Sequence, residues 1–127
     1  MGLTGEMTVE VTEENCINFA DGGMPAVLAT PWLVAYLEFV ARDALSVCLD
    51  ENERSVGAVV EIEHLAPSPI GSRVTCCARV IHVDGPTITF QIEAHDEIEP
   101  IAKGIHKRRV VEIGRFARRV AKKSAQR

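Results

Sequence analysis

Apolar residues follow two rhythms along this chain. In residues 30–48, Leu33, Leu37, Val40, Ala41, Ala44, Val47 and Cys48 recur at three- and four-residue spacing, the period of a helix with a buried stripe. Thr30 followed by Pro31 predicts the helix start, because a threonine hydroxyl accepts an orphan N–H and proline suits the first turn. Trp32, Val34 and Phe39 widen the stripe until little polar face remains, which predicts a helix wrapped on most sides. Elsewhere the period is two. Residues 8–12 read as a short strand, and residues 56–65, 73–83, 87–96 and 101–113 as four longer ones. Asp84-Gly85 marks a hairpin, while Pro67, Pro69 and Gly71 break the chain. The expected architecture is α+β: a strand, a long helix, then four strands in an antiparallel meander curled around that helix. Open strand edges in such a sheet invite pairing with a second copy.

Parity sharpens this picture. Val56, Ala58, Val60, Ile62 and His64 share one face of their strand, and Gly57, Val59, Glu61, Glu63 and Leu65 the other. Two glutamates mark the second face as solvent-side, so His64 is carried toward the helix. Glu38 stands in the middle of the apolar helix, where a carboxylate is costly unless paired or used. Arg42, four residues on, offers an i,i+4 ion pair as the plain structural role. Residues 13–25 include Asn15, Asn18, Asp21, Gly22 and Gly23 and read as irregular, lid-like chain ahead of the helix.

Composition narrows the class. The 127 residues suffice for one domain with a modest core, and no run approaches a membrane span. No basic region precedes an apolar run at the N-terminus, so a cytoplasmic setting is expected. Four cysteines without a Cys-x-x-Cys spacing read as reduced packing residues, and no metal site is expected. The net charge of −4 conceals an asymmetry: six basic and no acidic residues follow position 113, leaving the rest at −10. An acidic body argues against nucleic acid as a partner. The basic tail, residues 114–127, reads as a solvated, frayed end, or as a screen for the phosphates of a ligand.

Three stretches taken together resemble a known family. They are Leu28-Ala29-Thr30-Pro31-Trp32 through Glu38, Val60-Glu61-Ile62-Glu63-His64 with the following Pro-x-Pro-x-Gly turn, and Lys103-Gly104-Ile105-His106-Lys107-Arg108. These resemble the hot-dog fold acyl-CoA thioesterases, and within them the fluoroacetyl-CoA thioesterase group, over residues 8–113. The resemblance implies a dimer of subunits in which an antiparallel sheet wraps a long helix. It also implies a catalytic set at Thr30, Glu38 and His64. In the fluoroacetyl-specific member, aromatic residues just ahead of the threonine form a lid. Residues 21–28 here contain no aromatic, so the resemblance implies a thioesterase but not that acyl preference.

The implied reaction is hydrolysis of an acyl-CoA thioester, with coenzyme A as part of the substrate and no separate cofactor. A carboxylate buried beside an apolar helix gains basicity, so Glu38 is a candidate base or nucleophile. Thr30 is a candidate nucleophile or water-orienting group with His64 as its base. N–H groups at the helix start are candidates for stabilising an oxyanion. On a regular helix, however, Thr30 and Glu38 lie about 80° apart around the axis and ~12 Å along it. They converge only if Thr30 lies off the helix or a second subunit contributes. His106 is expected to be structural, His82 and His95 to lie on strand surfaces, and Arg108 and Arg109 to point to opposite faces. A non-catalytic acyl-CoA or acyl-carrier binding protein, and a hot-dog dehydratase or hydratase, are the competing functions.

Overall fold

The computed structural model describes residues 2–17 and 22–127. Its elements are β1 (Thr4–Glu10), β2 (Cys16–Ile17), β3 (Val27–Leu28), α1 (Thr30–Ser46), β4 (Glu53–His64), β5 (Arg73–Asp84), β6 (Thr87–His95), β7 (Pro100–Glu112) and α2 (Ile113–Ser124). Five strands form one antiparallel sheet in the order β1-β5-β6-β7-β4, and β2 pairs with β3 in a small second sheet.

The period-two pattern accounts for the inner face of the large sheet. Val74, Cys76, Ala78 and Val80 of β5 alternate inward, as do Ile88, Phe90, Ile92 and Ala94 of β6. They meet Leu33, Leu37, Val40, Ala41 and Leu45, the three-and-four stripe of α1. Burying each large aliphatic side chain here contributes roughly 1.5–3 kcal/mol. Gly85, at a φ of 57°, supplies the left-handed turn between β5 and β6.

Several expectations need correction. The first strand begins at Thr4 and ends at Glu10, earlier than residues 8–12. The meander holds for β5–β7 only, because β4 pairs with β7 and becomes the outer edge. The helix ends at Ser46, leaving Val47 79% exposed, and Trp32 and Phe39 are also substantially exposed. The sheet curls around α1 as expected, but these positions form an apolar flank that it leaves uncovered. The tail is not frayed: Glu112 accepts hydrogen bonds from the N–H groups of Gly114 and Arg115, capping α2. The lid-like reading of residues 13–25 falls partly on residues 18–21, outside the described residues.

The correction with most bearing on function lies in β4. Pairing with β7 slips between Gly57 and Val59, so Ala58 is the extra residue of a bulge. Beyond the bulge, Val60, Ile62 and His64 face the helix as the alternation predicts. Before it, parity inverts. Gly57, opposite the buried Arg108, takes the helix-facing position that Val56 and Ala58 were expected to hold.

Candidate active site

Thr30 sits at the first helical position, and the N-cap is Ala29, with no side-chain cap. The hydroxyl is thus not spent on capping. It lies 2.7 Å from Nδ1 of His64, at the far end of β4. Backbone bonds fix this meeting. Leu28 N–H donates to Ser68 O (2.9 Å) and Ala29 N–H to Asn15 O (3.0 Å), which anchors the two residues before Thr30. Leu65 N–H donates to Ile101 O (2.7 Å), which anchors the residue after His64.

Two buried polar residues hold those anchors. Asn15 takes the Thr12 N–H on its Oδ1 at 2.8 Å and donates from Nδ2 to Glu10 O and to the Tyr36 hydroxyl. The Ser68 hydroxyl donates to Asp96 Oδ2 at 2.9 Å, and Asp96 Oδ1 accepts the N–H groups of Ile98 and Glu99. Although burial works against its charge, these hydrogen bonds hold the Asp96 carboxyl below the usual carboxylate range. Sequence reasoning did not single out Ser68 or Asp96. The Pro67-Ser68-Pro69 run was the signal available, since a serine between two prolines has few ways to be satisfied locally.

Burial pushes the His64 pKa down, favouring the neutral imidazole at neutral pH. With its proton on Nε2, that imidazole presents Nδ1 as an acceptor for the Thr30 O–H. Nε2 is then a buried donor, and it has no hydrogen-bond partner among the described residues. The pair opens on a groove of about 390 Å³ lined by Ile17, Val27, Leu28, Pro31, Leu65 and Ala66 among others. This is an apolar channel ending at a hydroxyl–imidazole contact.

Glu38 lies elsewhere. A Cβ built on Gly57 would stand 3.2 Å from Glu38 Oε2 and 3.5 Å from His106 Cε1, so the carboxylate occupies space only a glycine leaves. His106 is fully buried; its Nδ1–H donates to Val59 O at 2.8 Å, which leaves Nε2 as an acceptor for Arg108 Nη1 at 3.2 Å. Arg108, 4% exposed, also donates from Nε to Ser55 Oγ (2.8 Å) and from Nη2 to Ser55 O (2.9 Å). Desolvation lowers its pKa, and the Glu38 charge works in the opposite direction. Desolvation also lowers the pKa of His106. The expected Glu38–Arg42 pair does not form. Arg42 bonds to Asp43 at 3.2 Å and lies over the Phe39 ring. Within one chain, then, Thr30 and His64 come together and Glu38 stands apart with Gly57, His106 and Arg108. As expected, Arg108 and Arg109 face opposite ways, one buried and one exposed.

A long helix backed by a curled antiparallel sheet is the hot-dog fold of the thioesterases. The model of the fluoroacetyl-CoA-specific thioesterase family matches residues 11–113. The fluoroacetyl-CoA thioesterase of Streptantibioticus cattleyicolor is 31% identical over 100 residues, covering 79% of this chain and 72% of its own. A solved structure of a fluoroacetyl-CoA thioesterase superposes with a TM-score of 0.85 at 26% identity, covering 96% of this chain and 95% of the other. A Thermus thermophilus thioesterase superfamily member gives 0.86 at 27% identity, covering 99% and 96%. A hot-dog-like protein from Thermanaerovibrio acidaminovorans gives 0.88 at 25%, covering 96% and 90%. The chain belongs to the fluoroacetyl-CoA-specific thioesterase family, and its homology is to enzymes that cleave thioesters.

Proposed function

We propose that this protein hydrolyses an acyl-CoA thioester to the free acid and coenzyme A, with Thr30, His64 and Glu38 as its catalytic residues and a homodimer as its working form. The observation that carries the reading is the 2.7 Å contact between Thr30 Oγ1 and His64 Nδ1 at the end of an apolar groove. Neutral His64 takes the hydroxyl proton as Thr30 Oγ attacks the thioester carbonyl. Collapse of the adduct expels the coenzyme A thiolate, which takes up that proton. Water then cleaves the threonyl ester, releasing the acid and restoring the hydroxyl. The start of α1 is the positive end of a helix and supports negative charge on the carbonyl oxygen.

Glu38 enters through a second copy. Thr30 lies on the helix proper, so helix geometry keeps the two residues of one chain apart. β4 is a free edge, and an isologous pairing of β4 with its counterpart sets the Glu38–Gly57 region of one subunit toward the Thr30–His64 region of the other. The apolar flank at Trp32 and Phe39 is further surface for such contact. The acyl group this groove takes is left to a substrate panel.

Incubating the protein with acyl-CoAs of increasing length and reading free thiol tests the proposal. Thiol release that vanishes in Thr30→Ala and His64→Ala supports it. Binding of acyl-CoA with no thiol release would favour a carrier or sensor protein instead.

A further inference from the structure

A second cavity, of about 280 Å³, lies between α2 and the adjoining end of β7. Its lining includes Arg109, Arg115, Arg119, Phe116, Pro86 and Glu112. Three arginines thus line one cleft, and all three are exposed. The one ion pair among the described residues joins Arg42 to Asp43, so these arginines have no carboxylate partner there. Glu112 is the only acid of the lining. Its oxygens are engaged by the Gly114 and Arg115 N–H groups at the start of α2, and these bonds hold its pKa down. The Phe116 ring, 41% exposed, adds a flat apolar face.

We propose that this cleft binds the phosphorylated adenosine end of coenzyme A, the arginines taking the phosphates and Phe116 the base. The inference rests on the thioesterase reading for the substrate but not for the site. Guanidinium forks match phosphate oxygens in pairs, and an aromatic face stacks on a purine. The cavity lies near the lower end of small-molecule sites, about 300 Å³, which suits a mononucleotide. A nucleic acid is disfavoured because the body ahead of α2 carries −10, which repels a polyanion extending past the cleft.

Reach decides which catalytic pair the cleft serves. α2 follows β7 at the Glu53 end of β4, with Ile113 N–H donating to Asn52 O at 2.8 Å. His64 is at the other end of a 12-residue strand, roughly 36 Å away. A pantetheine arm does not span that distance. Pairing β4 edges antiparallel about a two-fold axis puts the Glu53 end of one copy beside His64 of the partner subunit. The nucleotide held by one copy thus belongs to the thioester cleaved at the other.

Calorimetric titration with adenosine 3′,5′-bisphosphate at low ionic strength tests the site without turnover. The full chain is expected to bind it, and Arg115→Ala/Arg119→Ala and Phe116→Ala each to bind at least about tenfold more weakly with unchanged melting. In kinetics, the double variant is expected to raise KM for an acyl-CoA at least about tenfold with kcat unchanged. KM for the matching acyl-pantetheine, which lacks the nucleotide, is expected to stay as in the parent. No binding of the bisphosphate by the parent, equal affinity in parent and variants, or an equal KM change on both substrates would overturn the proposal. If neither thioester is cleaved yet bisphosphate binding depends on the arginines, the thioesterase reading falls and the nucleotide site stands.

Discussion

Two polar clusters lie on the inner side of the same sheet, and their surroundings differ. Thr30 and His64 meet at the end of an apolar groove, and the imidazole has a buried Nε2 with no partner among the described residues. The Glu38 region is knit closely: both ring nitrogens of His106 and all three nitrogens of the Arg108 side chain are engaged, by Val59, by Ser55 and by each other. The first cluster is equipped to move a proton, since one of its members is neutral and lightly held. The second is equipped to hold charge in place, a guanidinium pinned by Ser55 and His106 with the Glu38 carboxylate near enough to act on its charge. The proposed mechanism assigns proton transfer to the first and electrostatic support to the second, and substitutions read the two apart.

The largest effect is expected at His64. His64→Ala removes the proton acceptor and is expected to lower kcat/KM by ~10²–10⁴-fold, measured by thiol release, while the melting temperature moves little. A fall within fivefold would place proton transfer elsewhere. Glu38→Gln keeps shape and removes charge. It is expected to cost at least about a hundredfold in rate, with folding equal to the parent; near-normal turnover would reduce Glu38 to a structural role. Gly57→Ala comes next. Its Cβ would press on Glu38 Oε2 at 3.2 Å, a distance tight enough that the carboxylate must give. About a tenfold loss of rate, one step of ~1.4 kcal/mol in barrier, is expected. Activity equal to the parent would mean that the carboxylate's position is unimportant.

Smaller effects follow from pH and from the control position. Desolvation lowers both His64 and His106 below their ordinary value of 6.5. The unfolded chain therefore binds more protons than the folded one as pH drops below that value. Stability from this source is complete above pH 6.5 and is lost as pH falls through the folded-state values. Melting followed from pH 7.5 downward is expected to show the loss, and the acid limb of kcat/KM to have its midpoint below 6.5. A midpoint above 6.5 would contradict a desolvated His64 as the base. Arg42→Ala is expected to do least, with turnover within about twofold, because its partner Asp43 is an exposed neighbour. Truncation after Ile113 is expected to leave a dimer in sedimentation equilibrium, since the proposed interface uses strand edges and not α2; a monomer at high concentration would refute that.

Much of this was legible in the sequence because the strong signals were periodic. The stripe from Leu33 to Leu45 and the alternation through Val74–Val80 and Ile88–Ala94 predict the helix, its partners and the inward placement of His64. Local patterns cannot report pairing between distant strands, so the edge position of β4 was not visible. Thr30-Pro31 looks like a helix cap because capping is what threonine does at that place in isolation. A histidine from a strand 34 residues away claims the hydroxyl instead. The i,i+4 spacing of Glu38 and Arg42 likewise states what is possible on a bare helix, whereas the cavity over Gly57 decides where the carboxylate goes. α2 was missed because cations crowd its sequence, and neither its cap at Glu112 nor its contact with β7 is a matter of periodicity.

The bulge at Ala58 acts as a phase shifter. Counted back from His64 in strict alternation, Ala58 and Val56 would face the helix and Gly57 would face solvent, so a side chain would fill the space Glu38 now occupies. One extra residue resets the count and lets a single strand address two clients: an imidazole at one end, an absence of side chain at the other. Straightening the bulge with Ala58 kept and paired would therefore do more than regularise a ladder. It would keep His64 in frame, turn Gly57 outward and put Val56 over the carboxylate. Gly57 and His64 stand seven positions apart, a separation that regular alternation puts on opposite faces, and the unpaired Ala58 is what lets both face the helix.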